Sequence, residues 1–247
     1  MDRYRIPYLA CPVKKMRGLC RGGHLLTRPI EAAAVLKAVR EAVEDAAPVT
    51  VKMRRAYDES EESLDRFHRI FETAIELGYA SATVHCRTVK QQYEGAASWP
   101  FLADLTRRHP GFTILGSGDV FTAESIFEMI AATGVRGVSV ARGAIGNPWI
   151  FRQALQILRG EAPAHPGVAE QREVLEEHYR LTARLHGEAH AGRVMRKIGI
   201  KMSRHHPSAA EVGRAFIACR NNAEWWAVID EFYGVEGLVA VSAARDP

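Results

Sequence analysis

Five groups of residues that could do chemistry recur along the first 150 positions. Cys11 stands between Ala10 and Pro12 and is followed by Lys14 and Lys15. Lys52 sits inside the β-prone run Val49–Met53, with Arg54 just beyond it. His85 ends a second run, Gly116-Ser117-Gly118 a third, and Arg142-Gly143 follows a fourth. An unperturbed thiol has a pKa of about 8.5 and is mostly protonated at neutral pH, so a cysteine can act as a proton donor. The commoner fate of a cysteine is that of a small buried hydrophobe. An inward lysine on a strand is costly unless it is used, although a strand-end lysine can also snorkel to solvent. His85 can donate a hydrogen bond to a ligand or be satisfied within a core. Glycines let a backbone approach a phosphate closely and Arg142 can pair with its charge, but tight strand-to-helix turns use the same residues.

The elements that must position these groups alternate. β-prone runs cover Ile6–Ala10, Val49–Met53, Ala82–His85, Thr113–Gly116 and Gly137–Val140, and helical patterns cover Pro29–Asp45, Glu61–Leu77, Trp99–Arg108 and Thr122–Ala132. Such alternation indicates parallel βαβ units. Leu64, Phe67, Phe71 and Ile75 fall at helical spacing and predict one buried stripe. Cys11, Arg54 (with Lys52 inside its strand), His85, Gly116-Ser117-Gly118 and Arg142 follow or end successive strands, and the landmarks Cys11, Lys52, His85, Ser117 and Arg142 lie about one βα unit apart. Chemistry after every successive strand points to the catalytic face of a (β/α)8 barrel, because a doubly wound sheet concentrates its ligands at one switch point. Only about five βα units can be counted, so the expected fold is a partial TIM barrel over 1–158 that begins late in a longer ancestral domain.

Beyond Phe151 the pattern changes. Residues 160–167 (GEAPAHPG) form a proline- and glycine-rich linker. Helical patterns follow at Ala169–His186, Ala189–Ser203, Ala209–Arg220 and Ala223–Phe232, which predicts a small all-α domain over 168–247. Arg193, Arg196, Lys197, Lys201 and Arg204 crowd one segment without an acid, and four of them share a helix face opposite Met195, Ile198 and Met202. A charge run is most simply a solvated face, and Gly199 weakens the helix.

Composition bounds the class. With 47% hydrophobic and 25% charged residues among 247, the chain can bury a core, and a net charge of +4 leaves an anionic partner open. The four cysteines are scattered without C-x-x-C or metal-ligand spacing, which argues against a disulfide framework or a metal site and fits a reducing cytoplasm. The opening residues carry no apolar signal core and no apolar run reaches membrane-spanning length.

Five motifs in order resemble the tRNA-dihydrouridine synthase family. They are Ala10 to Lys15 (ACPVKK) with Arg21 to Leu26 (RGGHLL) and Pro29; Val51 to Arg54 (VKMR); His85 to Thr88 (HCRT) with Gln91 to Gly95 (QQYEG) and Trp99; Gly116 to Asp119 (GSGD); and Arg142 to Ala144 with Gly146 to Phe151 (GNPWIF). The resemblance implies an FMN-dependent reduction of a uridine in tRNA to 5,6-dihydrouridine using NADPH. It implies Cys11 as general acid, with Lys52, His85, Gly116, Ser117, Gly118, Arg142 and Gly143 at the flavin. It assigns Arg54, Arg87, Arg193, Arg196, Lys197, Lys201 and Arg204 to the RNA.

The chain departs from the family pattern in several places. Tyr8 stands where the family usually has asparagine, Ala10 and Cys86 stand for glycines, and Ser117 stands for the asparagine of the family's G-N-G-D turn. The family's early flavin-cradling turn has no counterpart here. The alternative expectation is therefore a catalytically inactive relative that retains an RNA-binding helical domain. Another flavin barrel, such as a dihydroorotate dehydrogenase, would explain the phosphate loops but not the cysteine motif or the basic tail.

Overall fold

A computed structural model describes residues 8–9, 11, 15, 18–43 and 46–234. The rest of the expected Ile6–Ala10 strand, the Pro12–Lys14 motif and the end of the expected Pro29–Asp45 helix lie outside these residues. The chain separates into two compact units that divide between Ala141 and Arg142.

The first unit is an α/β arrangement on one parallel sheet. Its strands are β1 (Tyr8–Leu9), β2 (Thr50–Arg54), β3 (Ser81–His85), β4 (Thr113–Ser117) and β5 (Gly137–Val138), hydrogen-bonded in the order β1-β2-β3-β4-β5. Sequential order means that the strand sequence never reverses, so the described sheet contains no doubly wound switch point. Ser139 N donates to Gly116 O at 2.8 Å, continuing the last pairing past β5.

Helices α1 (Pro29–Val43), α2 (Glu61–Glu76), α3 (Trp99–Arg108) and α4 (Ala123–Thr133) connect the strands, and a 3-10 turn at Gly22–Thr27 precedes α1. Several helix starts have a chemical reason. The Ser60 side chain accepts from Ser63 N at the head of α2, Pro100 opens α3, and Thr122 and Ser125 form a capping box on α4. The buried stripe of α2 is Ser63, Phe67, Ile70, Phe71 and Ala74, with Ile75 partly buried at its edge. Thus the anticipated stripe is rotated slightly toward Ile70.

Register sorts the sheet into two faces, because successive side chains alternate. Val51, Ala82 and Ile114 stand level, as do Met53, Val84 and Gly116. All six are buried, and a Cβ on Gly116 would lie 2.6 Å from Met129 Sδ and 3.0 Å from Leu102 Cδ1, so this face meets α3 and α4. The opposite face carries Lys52, Thr83 and Leu115 at one level, and Arg54, His85 and Ser117 at the next.

The second unit is helical: α5 (Ile150–Leu158), α6 (Val168–His186), α7 (Glu188–Met202), α8 (Ala209–Ala218) and α9 (Asn222–Tyr233), with a 3-10 turn at Ser203–His205. Helix α5 was not anticipated. The proline-glycine segment after it is held locally, since Gln153 Nε2 donates to Ala164 O and Gln171 Nε2 to Pro166 O. The core gathers Leu175, Tyr179, Met195, Phe216, Trp225 and Tyr233, with Tyr179 stacked on Trp225 at 4.7 Å. Gly199 does not break α7. A Cβ there would lie 2.6 Å from two Phe216 ring atoms, so the glycine admits the ring.

Candidate active site

The carboxyl ends of the strands collect the polar groups of the first unit. Cys11 lies two residues beyond β1, half-buried and free of any disulfide. Its backbone is gripped by the glycines of the RGGH motif: Gly23 N donates to Cys11 O at 3.0 Å, and Gly22 takes φ +60°. A Cβ on Gly22 would come within 2.9 Å of Cys11 Cβ, and one on Gly23 within 2.7 Å of Val89 Cγ2. These two glycines are therefore needed for close packing around the cysteine.

Lys52 points to the polar sheet face and is half-buried. Burial, then the neighbouring Arg54 charge, push its pKa below the ordinary lysine value, and only Cys86 opposes them. Among the described residues it forms no ion pair. His85 stands level with Arg54 and Ser117, and its ring faces Gly118, where a Cβ would lie 3.3 Å from His85 Cδ2. Gly118 has φ +127° and Asp119 φ +56°, so two consecutive residues after β4 take left-handed backbone.

The HCRT segment is bound into the protein. Arg54 is 2% exposed, and its Nη1 donates to Thr88 O at 2.8 Å and to Gln92 O at 2.7 Å, while the guanidinium lies over Tyr93 at 5.5 Å. Arg87 is equally buried and pairs with both carboxylate oxygens of Asp119, at 2.6 and 2.7 Å. Both arginines, assigned by sequence to the RNA, thus hold the β3–α3 loop in shape. Cys86 is fully buried and donates to Ser117 O at 3.1 Å; burial pushes its thiol up to about 12. Gly116 turns its Cα toward the helices, so packing alone requires a glycine there. Asp119 is the anchor that sequence reading left without a role, although it stands in a motif already singled out.

Arg142 and Gly143 belong to the second unit. There Arg204 Nη2 donates to Gly143 O at 3.5 Å, Gly146 abuts the Lys201 backbone, and the His205 ring meets Trp149 edge-on at 5.7 Å. The segment 142–149 is consequently fastened to the end of α7. Arg193, Lys197, Lys201 and Arg204 are exposed, Arg196 is half-buried, and Met195 and Met202 face the core. The basic and apolar faces are those that helical spacing separates.

Among the described residues no three His, Cys, Asp or Glu side chains gather as a metal site, and no helix is long and apolar enough to cross a membrane.

A parallel α/β sheet with polar groups along one face and toward its strand ends, with a helical unit that carries a basic face, defines the class of fold; in such sheets ligands commonly bind beyond the carboxyl ends of the strands. The particular family follows from comparison: residues 9–232 match the model described as Dihydrouridine synthase (Dus), and the chain belongs to that family. It is 32% identical over 197 residues to a probable tRNA-dihydrouridine synthase of Rickettsia conorii, covering 79% of this chain and 55% of the relative. A protein of the same name from Treponema pallidum is 36% identical over 194 residues (76% and 56%). One from Mycobacterium tuberculosis is 30% identical over 226 residues (91% and 57%). The chain spans about half the length of the curated relatives it matches.

Proposed function

We propose that this chain acts in the reduction of a uridine in tRNA to 5,6-dihydrouridine, with FMN as cofactor and NADPH as reductant. The observation that carries the reading is the polar sheet face, where Lys52 stands one level below Arg54, His85 and Ser117, against an opposite face that is wholly buried. The sequential strand order supports a segment of a (β/α)8 barrel, with five of its βα units over 1–158 and a helical tRNA-binding domain over 168–247.

The residues present suit FMN. Lys52 is a half-buried cation whose charge burial disfavours, and an anionic ring beside it would reverse that penalty. The Ser117–Gly118 turn lies at the carboxyl end of β4, where barrel loops commonly present backbone N–H groups to a phosphate, and Gly118, packed against Ala97 and His85, takes φ +127° there. FMN, once bound there and reduced by NADPH, would supply the hydride for C6 of the uracil. Cys11, whose backbone is held by Gly22 and Gly23, would provide the proton that C5 needs. His85 donates to the flavin or the uracil. Arg142 and Gly143 are assigned to the phosphate on their motif alone.

The exposed Arg193, Lys197, Lys201 and Arg204 track tRNA phosphates, and the target base leaves its stack to reach the sheet face. A cytoplasmic location follows from tRNA as substrate and from the free thiols. Visible absorption during FMN titration tests the reading. Saturable flavin bands, weakened by Lys52→Met, are expected. No flavin binding, with tRNA binding retained, would favour the inactive RNA-binding relative.

A further inference from the structure

The turn after β4 is held from one side by a buried ion pair. Arg87 Nη2 reaches both oxygens of Asp119 at 2.6 and 2.7 Å, and Arg87 Nε and Nη2 also donate to Gly95 O at 3.1 and 2.6 Å. Asp119 Oδ2 accepts from Ala97 N at 2.7 Å, and Trp99 Nε1 donates to Gly118 O at 3.1 Å. Groups of the β3–α3 segment therefore converge on two residues whose backbone is left-handed. Strained backbone persists only where its surroundings over-determine it, and such places cluster at ligand sites.

Stability alone does not account for this choice. A buried ion pair can generally be exchanged for apolar groups at little loss, and here the guanidinium is left with Nη1 buried and unpartnered. What the pair supplies is a fixed position. Its Nη2 reaches both oxygens of the Asp119 carboxylate while Nε and Nη2 grip Gly95 O, so the guanidinium ties the carboxylate to the β3–α3 segment, and the carboxylate in turn defines where the backbone of Ser117 and Gly118 sits.

We propose that Arg87, through Asp119, is a positioning residue that sets the Ser117–Asp119 turn to receive the phosphate of the flavin, and so sets selectivity for a phosphorylated over an unphosphorylated flavin. The inference rests on the flavin reading above. It differs from the sequence-based assignment of Arg87, because the guanidinium acts through the turn and not on RNA.

The test is a pair of fluorescence titrations, with FMN and with riboflavin, on the wild type, Asp119→Asn and Arg87→Lys, alongside thermal melts without ligand. The expected result is a wild type that prefers FMN, and an Asp119→Asn protein whose FMN affinity falls about tenfold while its riboflavin affinity stays the same. Arg87→Lys keeps the charge but loses the second nitrogen that holds Gly95 O, and it should lie between them. A merely structural pair would weaken both flavins in parallel, and that result overturns the proposal. So does an unchanged FMN preference in both variants, or a wild type that binds both flavins equally. If Asp119→Asn does not fold, the Arg87→Lys selectivity alone decides. A wild type that binds neither flavin refutes the underlying flavin reading instead.

Discussion

Replacing Gly199 by alanine sets two effects of opposite sign against each other in the last turn of α7. Alanine is the better helix former by about 1 kcal/mol, so on propensity alone the variant gains stability. The added Cβ, however, would sit 2.6, 2.6 and 2.7 Å from three ring atoms of Phe216, and Phe216 is itself fully buried. A rigid ring in a filled core cannot swing aside as the end of a flexible chain can, so the overpacking cost belongs near the top of its usual range of about 1–3 kcal/mol. The net expectation is a loss of roughly 1–2 kcal/mol. If the second unit melts as a cooperative block of roughly 100 residues, its transition falls by about 4–16 °C. Circular dichroism melts of Gly199→Ala measure this directly. Adding Phe216→Leu removes the clash, so the double variant should show less than the sum of the two single losses. A Gly199→Ala protein as stable as the wild type, or more so, would refute the packing account of this glycine.

Other expectations follow from single groups. The folded-state pKa of Lys52 is lowered, so the unfolded chain holds that proton more tightly; the ammonium subtracts stability below its folded pKa, and the loss is recovered as pH rises toward the ordinary lysine value. Lys52→Met should therefore melt higher than the flavin-free wild type at pH 7, and the gap should close in melts at alkaline pH; a lower melting point at pH 7 would contradict this. On the basic face, Arg193→Gln with Lys197→Gln should weaken tRNA binding and reduce the salt slope by about 0.7–0.9 for each phosphate no longer neutralised. Filter binding across a salt series checks it, and an unchanged slope would remove these two residues from the interface.

The sequence was legible where local chemistry decides the outcome. The βα alternation placed β2 to β4 to within a few residues, because β-branched runs are separated by helices with their own caps, such as Ser60 and Thr122. It was less legible where a distant partner decides. Gly199 weakens a helix by propensity, and only the Phe216 ring explains it. Arg54 and Arg87 read as cations turned toward RNA because their acceptors include the backbone carbonyls of Thr88, Gln92 and Gly95, which leave no mark in side-chain pattern. Gly116 read as a phosphate glycine, yet Met129 and Leu102 already demand it. Helix α5 escaped notice because its nine residues, Ile150–Leu158, offer little more than two turns in which a helical period can show. The cysteine motif was legible as chemistry, but the packing of Gly22 and Gly23 on Cys11 was not.

Uridine reduction by these residues, as proposed, is tested most directly by its product. Unmodified tRNA would be incubated with the chain, FMN and NADPH, and its nucleosides examined by mass spectrometry for uridine that has gained two hydrogens. The expected result is dihydrouridine with the wild type, and none with Cys11→Ala although that variant still shows the bound-flavin bands. Dihydrouridine formed equally by Cys11→Ala would contradict the role given to the thiol. A flavin-loaded wild type that binds tRNA and forms no dihydrouridine would contradict the catalytic reading.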